Sequence, residues 1–331
     1  MIYYGHLLEQ WSLEMDLVRD LEFFMEKEMK RVGINPSNTR DILYEYFNML
    51  KRMISIRPRN VVYSKEFRYP KEYEEALLEF EDNARKGKNL NKYQSDKITK
   101  PEESDDLLND WNIVHFHLSK RFRNDGFVKR SDYQIFAWIT DNCIYMIQVY
   151  PHKEDFLYCK QELLEIIERN WPKLLEPYIL KDVANLNEQF DDKQYEKIRE
   201  AHVTTLVQTK NNKVYGLLGG GYMSDGSSGE AIRNEFFWNN RLKICEDIIK
   251  RNMTSIMNVI REQRNNEEYA YNIKLLGMPK STDKIKLIET KTQMGIELLL
   301  SESRFRIFKM EDEMKYAYEA FLKGEDANEG E

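Results

Sequence analysis

The sequence predicts an α+β fold, in which N-terminal helices pack on an antiparallel sheet and a second α+β domain follows. Three observations carry this expectation. Apolar residues recur at helical spacing up to Arg85. From Asn112 to Tyr150 they fall into short runs of strand length. Beyond Gly229 one long helical pattern precedes four short extended stretches. With 331 residues, and about 150 residues per typical domain, two domains are expected, at 1–180 and 181–331.

The first helix is read from Leu7, Trp11, Met15, Val18, Leu21, Met25 and Met29, which form one apolar stripe stopped by Gly33 and Pro36. A second runs from about Asp41 to Ile54, with Leu43, Phe47 and Leu50 inward. Residues 57–68 contain a short extended piece. Pro70 suits the first turn of a third helix, carrying Ala76, Leu77 and Phe80 and closing near Gly87. Residues 86–104 are polar and unpatterned, and read as a linker or mobile loop.

Strands are expected at Asn112–Ser119, Tyr133–Thr140 and Cys143–Tyr150. The last two are joined by Asp141-Asn142, a good two-residue hairpin turn. That turn sets Trp138 opposite Tyr145 and Phe136 opposite Ile147. Both faces of the hairpin are apolar, so it belongs in the centre of a sheet covered on both sides. A helix over Tyr158–Glu176 supplies one cover through Leu163, Leu164, Ile167 and Trp171. A polar helical stretch over 186–201 follows, then a hairpin of Val203–Thr209 and Val214–Leu218. Next come a glycine-rich loop, a helix over Ala231–Arg264, and strands at Asn272–Leu276, Lys284–Thr290, Ile296–Leu300 and Phe305–Phe308. A last helix and an acidic tail close the chain.

Composition narrows the function classes. Hydrophobic residues make up 41% of the chain, enough for real cores, and the net charge of −7 argues against coating nucleic acid through a global field. An anionic partner must be met by local patches. No apolar run is long enough to cross a membrane, and the N-terminus lacks the marks of a signal peptide. Cys143, Cys159 and Cys245 have no CxxC spacing and read as reduced thiols, so a cytoplasmic protein without a disulfide frame is expected.

The stretch NIVHFHLS is the most informative. Side chains alternate along a strand, so Ile113, His115 and His117 share one face while Val114, Phe116 and Leu118 share the other. Two imidazoles about 6–7 Å apart along the backbone suit a base and an acid flanking one phosphate. RNA carries its own nucleophile, the 2′-hydroxyl, so such a site needs no metal or other cofactor. The plainer alternative is a pair of histidines lining a wet sheet face.

Basic runs lie nearby. Residues 120–130, KRFRNDGFVKR, hold five basic residues against one acid; residues 51–68 hold six against one. There Arg57, Arg59 and Arg68 interleave with Tyr63 and Phe67, a combination suited to phosphates and unstacked bases; a solvated basic face is the ordinary alternative. Asp110 with the histidines would give a metal reading, without a defensible ligand spacing, while Asp105 and Asp106 read as turn and cap. The GGGYMSDGSSGE loop lacks the Lys-Ser or Lys-Thr of a phosphate loop, and a tight connection explains it better.

From Arg57 to about Leu175 the chain resembles a group of largely uncharacterised bacterial proteins, through LNDWNIVHFHLS, the basic turn with Arg130, IFAWITDNCIYMIQVYPH and LLEIIERNWPKLL. It also resembles, at the level of fold, the barnase–EndoU–colicin–RelE class of metal-independent ribonucleases, many of which act as toxins or in defence against phage. The resemblance implies His115 and His117 as the acid–base pair, Arg121 or Arg130 as phosphate clamp, and Tyr145 and His152 in secondary roles. The expected function is thus metal-independent RNA cleavage, with RNA as partner and the C-terminal domain open to a protein partner. A nucleic-acid-binding or regulatory protein and a metal-dependent hydrolase are the alternatives.

Overall fold

Asp16 opens the first helix by accepting the backbone N–H of Arg19 at 3.0 Å, in a computed structural model that describes residues 12–37, 39–183, 185–263 and 270–323. That helix, α1, spans Leu17–Arg31 and buries Leu17, Leu21, Phe24, Met25 and Met29. It does not begin near Leu7 as its stripe suggests: Ser12–Glu14 is a strand, β1, and Leu7 and Trp11 lie outside the described residues.

The chain packs as two compact units. One is Pro36–Asn234; the other joins Met1–Asn35 to Glu235–Glu331. The packing units therefore part at other places than the expected 180/181 boundary.

In Pro36–Asn234 the elements are α2 (Ile42–Arg52), β2 (Asn60–Tyr63), α3 (Glu74–Arg85), α4 (Asp106–Trp111), β3 (Val114–His117), β4 (Tyr133–Ile139) and β5 (Cys143–Pro151). After them come α5 (Glu162–Asn170), α6 (Pro172–Leu175), α7 (Asp192–Glu200), β6 (Val207–Gln208) and β7 (Val214–Tyr215). The sheet has the order β2-β5-β4-β3. It is mixed, because β2 runs parallel to β5 while the other pairs are antiparallel. Trp138 faces Tyr145 as the turn requires, but Phe136 faces Gln148, because a bulge between Phe136 and Ala137 leaves Ile147 unopposed.

Both faces of this sheet are covered. On one, Val114, Phe116, Ile135, Ala137, Ile144 and Met146 pack with Leu77 and Phe80 of α3. On the other, Ile113, Phe136, Trp138 and Ile147 pack with Leu163, Leu164 and Ile167 of α5. The helix expected over Tyr158–Glu176 breaks after Asn170, where Trp171 takes φ −142° and Pro172 starts a new turn. Proline has no N–H to give the preceding turn and restricts the residue before it.

Residues 86–104 are no linker. Leu90, Tyr93 and Ile98 are buried, two short turns form at Asn91–Tyr93 and Asp96–Thr99, and the polar side chains bond inward. Asn91 exchanges hydrogen bonds with the Ile54 backbone, and Arg52 donates to the carbonyls of Lys97 and Lys100 at 3.1 and 2.7 Å. The glycine-rich loop is a close connection, as expected. Gly219 and Gly221 donate their N–H groups to the carbonyls of Asp110 and Asn109, and a side chain at Gly219 would collide with the Leu108 carbonyl.

A 35-residue helix, α8 (Gly229–Gln263), leads into the last segment. There β8 (Ala270–Leu275), β9 (Lys284–Glu289), β10 (Met294–Leu299) and β11 (Arg304–Lys309) precede α9 (Asp312–Lys323). The sheet order is β1-β8-β9-β10-β11, with β1 parallel to β8 and the rest antiparallel. No helix among the described residues is long and apolar enough to cross a membrane.

Candidate functional site

Asp105 caps α4 by accepting the Leu108 N–H at 3.0 Å, and Asn112 ends that helix in the left-handed region at φ 57°. Asparagine tolerates that conformation. The reversal turns the chain directly into β3, the edge strand. Its register with β4 sets His115 against Phe136 and His117 against Gln134. Val114, Phe116 and Leu118 enter the core, so the two histidines emerge together on the other face.

They lie on the wall of a cavity of about 470 Å³ within Pro36–Asn234. Their ring centroids are 6.4 Å apart, with the rings nearly perpendicular. The Tyr158 ring lies 5.3 Å from His115, and its hydroxyl donates to Gln134 Oε1 at 2.9 Å. His152, exposed at the end of β5, stacks 6.2 Å from His117. Nδ1 of His115 and Nδ1 of His117 are both buried without a hydrogen-bond partner.

Burial pushes both imidazoles below their ordinary range. For His117, which is 4% exposed, the neighbouring His115, His152 and Arg130 add repulsion, and its pKa falls to about 4. For His115, Asp105 opposes the fall and His152 adds to it. At neutral pH the two rings are uncharged, fit to accept a proton. The cavity carries both signs of charge: Arg52, Lys97, Arg130 and Arg199 against Asp105, Asp106, Glu196 and Glu200. Most of the cations are engaged. Arg52 holds backbone carbonyls, Lys97 pairs with Glu103 at 3.1 Å, and Arg199 pairs with Asp110 at 2.7 Å. Arg130 is the exception. It reaches Asp96 only at 3.9 Å, and Asp96 is closer to Arg123, at 2.7 Å.

Of the residues singled out from sequence, His115, His117, His152 and Arg130 come together at this cavity. Tyr145 packs its ring on Trp171, 5.1 Å away, beneath the other end of the sheet. Arg57 pairs with Asp141 at 3.1 Å, and Arg59 is buried, donating to the Thr140 and Ser55 carbonyls. Both stand by the β4–β5 turn, roughly 20 Å along the strand from Gln134 at about 3.3 Å per residue. Arg68 donates to the carbonyls of Lys65 and Phe67. Arg121 is exposed on the 120–130 loop, where its carbonyl accepts the Lys129 N–H at 2.7 Å. None of these five lines the cavity.

Asp110 is not set beside the histidines as a metal ligand. Its carboxylate accepts from Nε and Nη2 of Arg199, both residues being buried. Burial is the largest influence on both groups and pushes Asp110 up, but the attraction of the groups around Arg199, led by Asp110, leaves the guanidinium pKa raised. The guanidinium lies 4.6 Å from the Trp111 ring and also donates to the Tyr158 carbonyl. Among the described residues no three His, Cys, Asp or Glu side chains gather in a metal-binding arrangement. Arg199, Tyr158 and the 94–98 wall escape a sequence reading. The only local signal is Arg199 four residues after Tyr195, on the buried stripe of a polar helix.

No family model, no curated protein and no solved structure matches the chain.

Proposed function

We propose that this cavity is the active site of an endoribonuclease that works without a metal. The observation that supports it is the pair of imidazoles, with ring centroids 6.4 Å apart, on one cavity wall beside Arg130. The substrate 2′-hydroxyl gives its proton to one imidazole as its oxygen attacks phosphorus. The P–O5′ bond breaks, and the leaving oxygen takes a proton from the other ring, which enters the step as the imidazolium and leaves it neutral, giving a 2′,3′-cyclic phosphate. Arg130, with only a distant acidic partner, is the cation to offset the charge on the phosphate. The phosphate in turn raises the pKa of the imidazole that serves as acid.

The test is incubation of the protein with end-labelled RNA, with and without EDTA, and analysis of the product ends. Expected are chelation-resistant cleavage and cyclic phosphate termini, lost by at least about a hundredfold in His115→Ala and His117→Ala. Because both rings titrate below the ordinary range, the acid limb of kcat/KM should fall near pH 4, the value for His117, and the optimum should lie below neutrality. Cleavage abolished by EDTA would move the case to a metal-dependent hydrolase. RNA binding without cleavage would make the protein a binding module.

A further inference from the structure

We propose that the unit formed by Met1–Asn35 and Glu235–Glu331 binds a single-chain amphipathic anion, a fatty-acid-like carboxylate, in a second cavity walled by α1, the β8–β9 connection and α9. The cavity measures about 540 Å³, within the range of small-molecule sites. Phe24, Leu276, Met278 and Met314 give it an apolar wall. Methionine is unbranched and polarizable, and adapts to a flexible chain better than rigid side chains do.

The charged groups lie on one side of this balance. Lys280, Lys284 and Lys286 also line the cavity, all exposed to solvent. Lys284 and Lys286 alternate onto one face of β9 while Ile285 and Leu287 turn into the core. Lys284 is 3.8 Å from Glu297, a carboxylate that Arg306 shares at 3.5 Å. Among the described residues, Lys280 and Lys286 have no acidic partner within ion-pair distance. The one acid on the wall, Glu28, has Arg31 at 3.7 Å. In a chain of net charge −7, three lysines beside one engaged acid select for an anionic head.

Tyr318 adds a neutral donor. Burial, and then the charge of Asp20, push its phenol up to about 12, so it keeps its proton. Asp20 itself is occupied by the Leu275 N–H at 2.9 Å and Lys274 at 3.4 Å. Apolar walls, a hydroxyl and lysines at the edge match an acyl chain ending in a carboxylate. They do not match a free inorganic anion, which would leave the walls uncovered, or a cation, which the lysines repel.

The experiment is calorimetric titration of the full chain with dodecanoate, below its micelle concentration, beside acetate and dodecyltrimethylammonium as probes lacking the chain or carrying the opposite charge. Saturable one-to-one binding of dodecanoate alone is expected. The double substitution Lys280→Gln and Lys286→Gln, at exposed lysines that make no ion pair, should weaken it by at least about tenfold without lowering the melting temperature. His115→Ala should leave it unchanged, so this site stands or falls apart from RNA cleavage. Equal binding of the cationic probe, an unchanged affinity in the double variant, or no saturable binding of dodecanoate would each overturn the proposal.

Discussion

His117 couples the candidate site to folding. Its ordinary pKa of 6.5 drops to about 4 in the folded chain, chiefly through burial. The unfolded chain then binds the proton more readily between those two values. The contribution of this residue is therefore complete above about pH 6.5 and is lost as pH falls through 4. By that linkage, stability should drop by about 2 kcal/mol between pH 7 and pH 5. Urea denaturation at the two pH values measures it, and His117→Gln should remove this share of the slope while the share due to His115 remains. The alternation that sets His115 beside His117 is legible in sequence, because a strand admits only two faces. The fates of Arg59 and Arg68 are not. Both guanidiniums are spent on backbone carbonyls, and nothing in a run of basic residues separates such a staple from a cation facing solvent.

Helix α4 is only six residues long, yet it joins the cavity to the glycine-rich loop. Two substitutions test it. Gly219→Ala drives a methyl group into the Leu108 carbonyl and should cost about 2–3 kcal/mol, read as a lower urea midpoint at unchanged slope. Asp110→Ala leaves Arg199 buried without its carboxylate and should cost about 3–5 kcal/mol. The central hairpin was legible because its turn and its two apolar faces agree. Its bulge was not, since one unopposed residue alters no pattern of polarity. Residues 86–104 looked like a linker because their side chains are polar. Those side chains instead satisfy backbone groups inside the fold, which composition alone does not reveal.

At the scale of the molecule, Pro36–Asn234 is one continuous stretch with its own sheet and a core on each face, whereas the other unit is assembled from both ends of the chain. A fragment spanning residues 36–234 should therefore fold by itself, with a single cooperative melting transition; calorimetry of the fragment beside the full chain checks it. The α+β class was legible, and so were most of the C-terminal strands. The division was not, because the partner of β1 is β8, and strand pairing over such a separation leaves no local trace in sequence. This parallel pairing has a consequence for synthesis. Ser12 is joined in register with Ala270, so the ribosome must add the whole intervening stretch before the strand finds its neighbour. At roughly 5–20 residues per second this takes about 10–50 s. Throughout that interval the apolar stripe of α1, from Leu17 to Met29, is a nascent surface without its final partners and a natural client for a chaperone.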